Sequence, residues 1–245
     1  MLRLSSFPNN FDAVVIGASG GIGSAFLDLL CVEEQVERIY AFSRKGQGGT
    51  HDKICHGKID LENESTIKRA ADAISDNVRL VIIATGFLHG GDVHPEKSLN
   101  DLAIDHMQRN FAINCYGPAL VFKHFLPKIP RSGKSVIGAL SARVGSISDN
   151  RLGGWYSYRA SKAALNMMIK TTSIEAARKW KETALIGLHP GTVETGLSEP
   201  FKANVPGEKL FSPAQSANYL LEVIESATAK DSGAIFDWQG KVIAP

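Results

Sequence analysis

Two side chains in the segment W-Y-S-Y-R-A-S-K-A-A-L, Trp155 to Leu165, have types and spacing that could do proton chemistry: Tyr158 and Lys162. Residues four apart share one face of a helix. A helix here therefore stacks Lys162 one turn along from Tyr158. Tyr156 has Ala160 at the same spacing and no cation. A free phenol titrates near ~10 and is a poor base at neutral pH. A neighbouring ammonium favours the phenolate and lowers that value. Tyr158 is thus read as a general acid or base, and Lys162 as the group that tunes it.

Such a pair on its own is commonly a surface contact; what precedes it changes the reading. Near the start of the chain, Gly17, Gly21 and Gly23 form G-A-S-G-G-I-G, a G-x-x-x-G-x-G loop that also holds Ser19 and Ile22. Glycines there let the backbone turn and approach a pyrophosphate with no Cβ in the way. The helix that follows offers its free N–H groups and positive end to the phosphates. The second strand ends in A-F-S-R-K, where an NAD-binding domain usually carries an acid for the ribose 2′-hydroxyl. Ser43, Arg44 and Lys45 stand there instead. A guanidinium suits a 2′-phosphate through charge-assisted, bidentate bonds, so the expected cofactor is NADP(H).

These groups need a frame. Apolar runs at 11–17, 38–42, 53–59, 78–84, 134–140, 184–189 and 233–237 predict strands, the one at 53–59 being the weakest. Helices are predicted at 22–32, 65–74, 156–180 and 212–227, with two more across 99–126 that break near Pro127 and Pro130. Apolar strands without alternation are buried on both faces, which implies a parallel sheet. The expected architecture is α/β: a single-domain Rossmann fold over 1–245, doubly wound, of about seven strands with helices on both faces. The segment 196–211, with Leu197, Phe201, Val205, Leu210 and Phe211, reads as an apolar lid over the site.

Together these motifs resemble the short-chain dehydrogenase/reductase family over nearly the whole chain, Y-R-A-S-K matching its Y-x-x-x-K. A softer likeness is to its carbonyl-reductase-like and C-factor-like branch. The resemblance implies hydride transfer between nicotinamide and a carbonyl or alcohol, with Lys162 also holding ribose. It implies that Asp60, followed by Leu61, contacts adenine. It places Ala84, Thr85 and Gly86 as the family's N-A-G, Thr85 departing from the usual alanine. Asn114 matches the asparagine that holds a relay water. Pro190, Gly191, Thr192, Val193 and Thr195 match the segment against the nicotinamide amide. Assembly as a homodimer or homotetramer is also implied.

One position departs from the pattern. The family's substrate-binding serine lies three residues before a glycine, and counting back from Gly145 lands on Ala142. Ser141 is expected to turn into the site and replace it, with Ser146 or Ser148 as substitutes. The departure also keeps open a second class, an NADP(H)-binding signalling or redox-sensing protein with little turnover.

Composition excludes other classes. The chain of 245 residues is 44% hydrophobic and 21% charged, with a net charge of +2 and no long basic run. That gives no electrostatic case for nucleic acid. Three scattered cysteines argue against a disulfide framework and for a cytoplasmic setting. No apolar run reaches the ~18 residues of a membrane span. His51, Cys55 and His56 lack a second half for a metal site, so no metal is expected.

Overall fold

The computed structural model describes residues 4–199 and 210–245. A seven-stranded parallel sheet forms the centre. Its strands are β1 (Phe11–Ile16), β2 (Val36–Ser43), β3 (Ile54–Lys58), β4 (Val78–Ile83), β5 (Ser135–Leu140), β6 (Thr183–His189) and β9 (Ile235–Asp237). They lie in the order β3-β2-β1-β4-β5-β6-β9. The order reverses direction between β1 and β4, which is where doubly wound sheets open a ligand crevice at their carboxyl ends. A separate two-stranded pair, β7 (Thr192–Val193) with β8 (Leu210–Phe211), closes the loop beyond β6.

Strands β1 and β5 are buried at every residue, and β4 and β6 at all but one. Their side chains feed two cores, one on each face. Val15, Leu80, Val136 and Ile186 pack against α1 (Gly21–Cys31) and α6 (Pro213–Ser226). Val14, Val81, Ile137 and Leu185 face α2 (Glu64–Asp72), α4 (Gly117–Phe125) and α5 (Tyr156–Ala176). Each large apolar side chain buried this way contributes roughly 1.5–3 kcal/mol relative to exposure.

Helix ends follow local chemistry. Asn63 caps α2 by accepting from the Ser65 N–H, and Ser212 with Gln215 forms a capping box on α6. The two helices expected across 99–126 are α3 (Ile104–Phe111) and α4. They are joined end to end through a π turn at Ala112–Tyr116. Pro127 falls in the short 3₁₀ turn that ends the run. Of the lid expected at 196–211, residues 200–209 lie outside the described part. No described helix is long and apolar enough to cross a membrane.

Candidate active site

The carboxyl ends of β1, β4, β5 and β6 open onto one cavity of about 450 Å³. Gly21 and Ile22 reach it from the glycine loop, and Ala84, Thr85 and Gly86 from the exit of β4. Tyr158 and Lys162 line the wall formed by α5. Pro190, Gly191, Val193 and Thr195 close the side beyond β6. The sequence-predicted groups separated by more than a hundred residues thus meet at one place.

The glycines fit a dinucleotide. Gly17 sits at φ +89, and a Cβ on Gly23 would stand 2.1 Å from the Gly17 carbonyl oxygen. A Cβ on Gly21 would stand 2.9 Å from the Thr195 methyl. The first turn of α1 has no side-chain cap and no acidic residue. That leaves helix N–H groups and the positive dipole end available to an anion, as pyrophosphate binding requires. Gly17 and Gly23 pack against each other and do not line the cavity, and Ser19 is exposed on the loop.

The Tyr158 ring is 8% exposed and packs against Leu88 and Ala142, with Trp155 edge-on at 6.3 Å. Lys162 is 2% exposed. Its Nζ donates to the Leu140 carbonyl at 2.8 Å and lies 5.8 Å from the centre of the Tyr158 ring. Burial drives both groups towards neutrality. It pushes the Tyr158 phenol above its ordinary range, and it pushes Lys162 down from 10.5 to about 7. The expected direction was downward, from the lysine; burial of the phenol moves it upward instead. The phenol is therefore held protonated, the form a proton donor needs.

Lys162 makes a stability prediction. Between pH 7 and 10.5 the unfolded lysine is charged while the folded one is neutral, so the unfolded state binds more protons and stability rises with pH. The contribution is on the order of 1.4 kcal/mol per pH unit. In denaturant titrations from pH 7 to 9, Lys162→Met should flatten that rise relative to wild type.

Ser141 lines the cavity, but its hydroxyl donates to Asn166 Oδ1 on α5 at 2.6 Å. Its one proton is directed to Asn166 here, where the sequence expectation had it offered to a substrate oxygen. The side chain that meets Tyr158 is the methyl of Ala142. Ser146 and Ser148 face the Pro245 carbonyl and do not line the cavity. Asn114 is fully buried in the π turn and bonds both backbone groups of Phe87, its Oδ1 accepting at 2.8 Å and its Nδ2 donating at 2.7 Å. Its Nδ2 also donates to Ser161 Oγ at 3.1 Å. The side chain thus ties the exit of β4 to α5, and π turns of this kind gather at functional sites.

At the far end of the crevice, Ser43 closes its own loop. Its hydroxyl donates to the Gln47 carbonyl at 2.7 Å and accepts from the Gln47 N–H at 2.9 Å. Arg44 is exposed beside it. Lys58, which the sequence reading did not single out, pairs with Ser43 in register, and its Cγ lies 3.0 Å from where a Cβ on Gly46 would stand. Asp60 Oδ1 accepts from the Glu62 N–H at 3.1 Å, and Leu61 packs against Gly117. Neither lines the cavity.

The profile of the short chain dehydrogenase family matches residues 12–206. The chain belongs to the short-chain dehydrogenase family. It is 35% identical to C-signal of Myxococcus xanthus over 143 residues, 58% of this chain and 81% of that protein. It is 31% identical over 177 residues to 1-hydroxy-2-glutathionyl-2-methyl-3-butene dehydrogenase of a Rhodococcus species, 71% of this chain and 73% of that enzyme. Among solved structures, the NADPH-bound carbonyl reductase from chicken fatty liver superposes with a TM-score of 0.82 at 25% identity, covering 97% of this chain and all of that one.

Several groups of this short-chain dehydrogenase had no signal in the sequence. Val144 and Asn166 join the site through a 3₁₀ turn (Arg143–Gly145) and the far side of α5. His189, by contrast, stands just before Pro190 in the sequence, where a pocket-lining place could be read; it lines the cavity as a neutral imidazole, pushed down to about 4 by burial and by the nearby Arg143 cation. Arg143 itself pairs with Asp237 at 3.1 Å and with Asp149 at 3.6 Å.

Proposed function

We propose that the protein is an NADPH-dependent reductase of aldehydes or ketones, with Tyr158 as the proton donor. The observation that carries this reading is a buried phenol on the wall of the same cavity that the glycine loop opens into. A reduced nicotinamide held there supplies hydride to the carbonyl carbon. Gly21 and Ile22 hold pyrophosphate at the start of α1, and Arg44 with Lys58 hold the 2′-phosphate. Val193 and Thr195 orient the nicotinamide amide. Tyr158 Oη donates to the carbonyl oxygen and gives up its proton as the alkoxide forms. Lys162, poised near neutrality, holds ribose and restores charge balance beside the departing proton. Reduction is the favoured direction because cells keep NADP(H) reduced.

The substrate is apolar next to its carbonyl. Leu88, Ala142, Val144, Trp155 and Leu197 gather round Tyr158 into one apolar cluster. One relative, 25% identical over 244 residues, is benzil reductase of Bacillus subtilis. Aryl ketones and α-diketones are therefore the first carbonyls to test.

Ala142 leaves the carbonyl oxygen one hydroxyl donor short. A donor of this kind is worth about a hundredfold or more in turnover where present. Ala142→Ser should therefore raise kcat by at least about tenfold on an aryl-ketone panel. A fall in kcat would mean that the methyl is shaped to the substrate and the reading of this corner is wrong.

The second reading is a cofactor-binding signalling protein, favoured by Ala142 and by the likeness to C-signal. NADPH oxidation across aldehydes, ketones and quinones separates the two. Tight NADPH binding with no turnover, unaltered by Tyr158→Phe, supports the second reading and defeats the first.

A further inference from the structure

We infer that Glu96 is a positioning residue for catalysis: its buried carboxylate clamps the first turn of α5 and so fixes where the Tyr158 hydroxyl points. The inference rests on the reading of Tyr158 as proton donor.

Glu96 lies between β4 and α3, is 3% exposed, and is 61 residues from its partner in sequence. No lysine or arginine pairs with it among the described residues. Its carboxylate accepts from the Ser157 N–H at 3.2 Å and from the Ser157 hydroxyl. Its carbonyl accepts from the Trp155 N–H at 2.6 Å. A buried carboxylate must be compensated. Here the compensation is two hydrogen bonds and the positive end of a 21-residue helix.

The helix needs the clamp as much as the carboxylate needs the helix. Three residues in succession, Gly153, Gly154 and Trp155, turn into α5 at φ of +63, +64 and +51. Trp155 has a side chain that disfavours that region, so surrounding contacts must impose it. Trp155 is the N-cap and supplies no side-chain cap of its own. Glu96 supplies it from across the fold. The residue after Ser157 is Tyr158, whose ring meets Trp155 edge to face and packs with Leu88 and Ala142. Lys162 is fixed separately, by Leu140 of the sheet. Release of the first turn therefore moves the phenol while leaving the lysine and the glycine loop in place. A shift of about 1 Å at a reacting group can cost up to about a hundredfold.

The test uses the full chain. Glu96→Gln keeps an acceptor oxygen but loses the charge; Ser157→Ala removes one of the two bonds and keeps the helix N–H. Steady-state reduction of an aryl ketone, the NADPH dissociation constant and the melting temperature are measured for each. Both variants should lose about tenfold or more in kcat, with KM and NADPH affinity unchanged. A merely structural role would lower the melting temperature and leave kcat per cofactor-binding site intact. That result would overturn the inference.

If the wild type reduces no carbonyl, the reading of Tyr158 has failed and the clamp is judged on hydrogen exchange. Glu96→Gln should then speed amide exchange at Ser157 and Tyr158 about tenfold, with the carboxyl half of α5 unaltered. Equal exchange in both proteins refutes the clamp.

Discussion

Tyr158→Phe should lower kcat by about a thousandfold, within the range lost when a positioned proton donor is removed. The ring is kept, so the packing against Trp155, Leu88 and Ala142 survives and the fold should be as stable as wild type. NADPH affinity should also survive, because the glycine loop and Lys162 are untouched. The loss should be severe because the described side chains that cluster with Tyr158, namely Leu88, Ala142, Val144, Trp155 and Leu197, carry no hydroxyl. Ala142 offers a methyl, Ser141 spends its proton on Asn166, and Ser146 and Ser148 face elsewhere. The pH profile of kcat is part of the same prediction. The phenol is raised by burial and Lys162 is lowered to about 7, so wild-type activity should vary around neutrality with the lysine and hold at higher pH until the phenol ionises. Single-turnover kinetics from pH 6 to 9.5 check both.

The second large effect concerns the cofactor. Arg44→Asp should shift the ratio of kcat/KM for NADPH over NADH by at least about a hundredfold towards NADH. The estimate combines a lost guanidinium–phosphate contact with a new repulsion. The aspartate would also supply the acid that ribose 2′-hydroxyls bond in NAD-binding domains. Lys58→Ala should weaken NADPH binding about fivefold and leave NADH alone, as expected for one exposed phosphate contact. Both can be read from fluorescence titration of the two reduced cofactors. Equal preference in wild type would remove the role given to Arg44 and Lys58.

The sequence made the centre of the fold legible because burial on both faces leaves long apolar runs. F-D-A-V-V-I and V-R-L-V-I-I became β1 and β4, within a residue of the expected ends. The edge strand β3, I-C-H-G-K, was the weakest prediction, and it is mostly exposed. An edge strand pairs on one side only, so little in its sequence demands burial. The π turn at Ala112–Tyr116 carries no sequence mark of its own, and its two flanking helices read as separate pieces.

The site divided along the same line. Backbone-driven features could be read from glycines, and the Tyr158–Lys162 pair from helical period. Features made by contacts between distant segments could not. Glu96 meets Ser157, and Ser141 meets Asn166, through the fold alone. The direction of the phenol's pKa was misjudged for a related reason. Spacing reports a neighbouring charge but says nothing of how deeply both groups are buried, and burial proved the stronger effect.

The central claim is hydride delivery to a carbonyl beside Tyr158. Incubation with NADPH carrying deuterium at both C4 positions, and an aryl ketone, tests it most directly. The account predicts one deuterium on the carbinol carbon, a product of one hand, and loss of both in Tyr158→Phe. Recovery of unchanged ketone with NADPH tightly bound, or deuterated product formed equally by wild type and Tyr158→Phe, would contradict it.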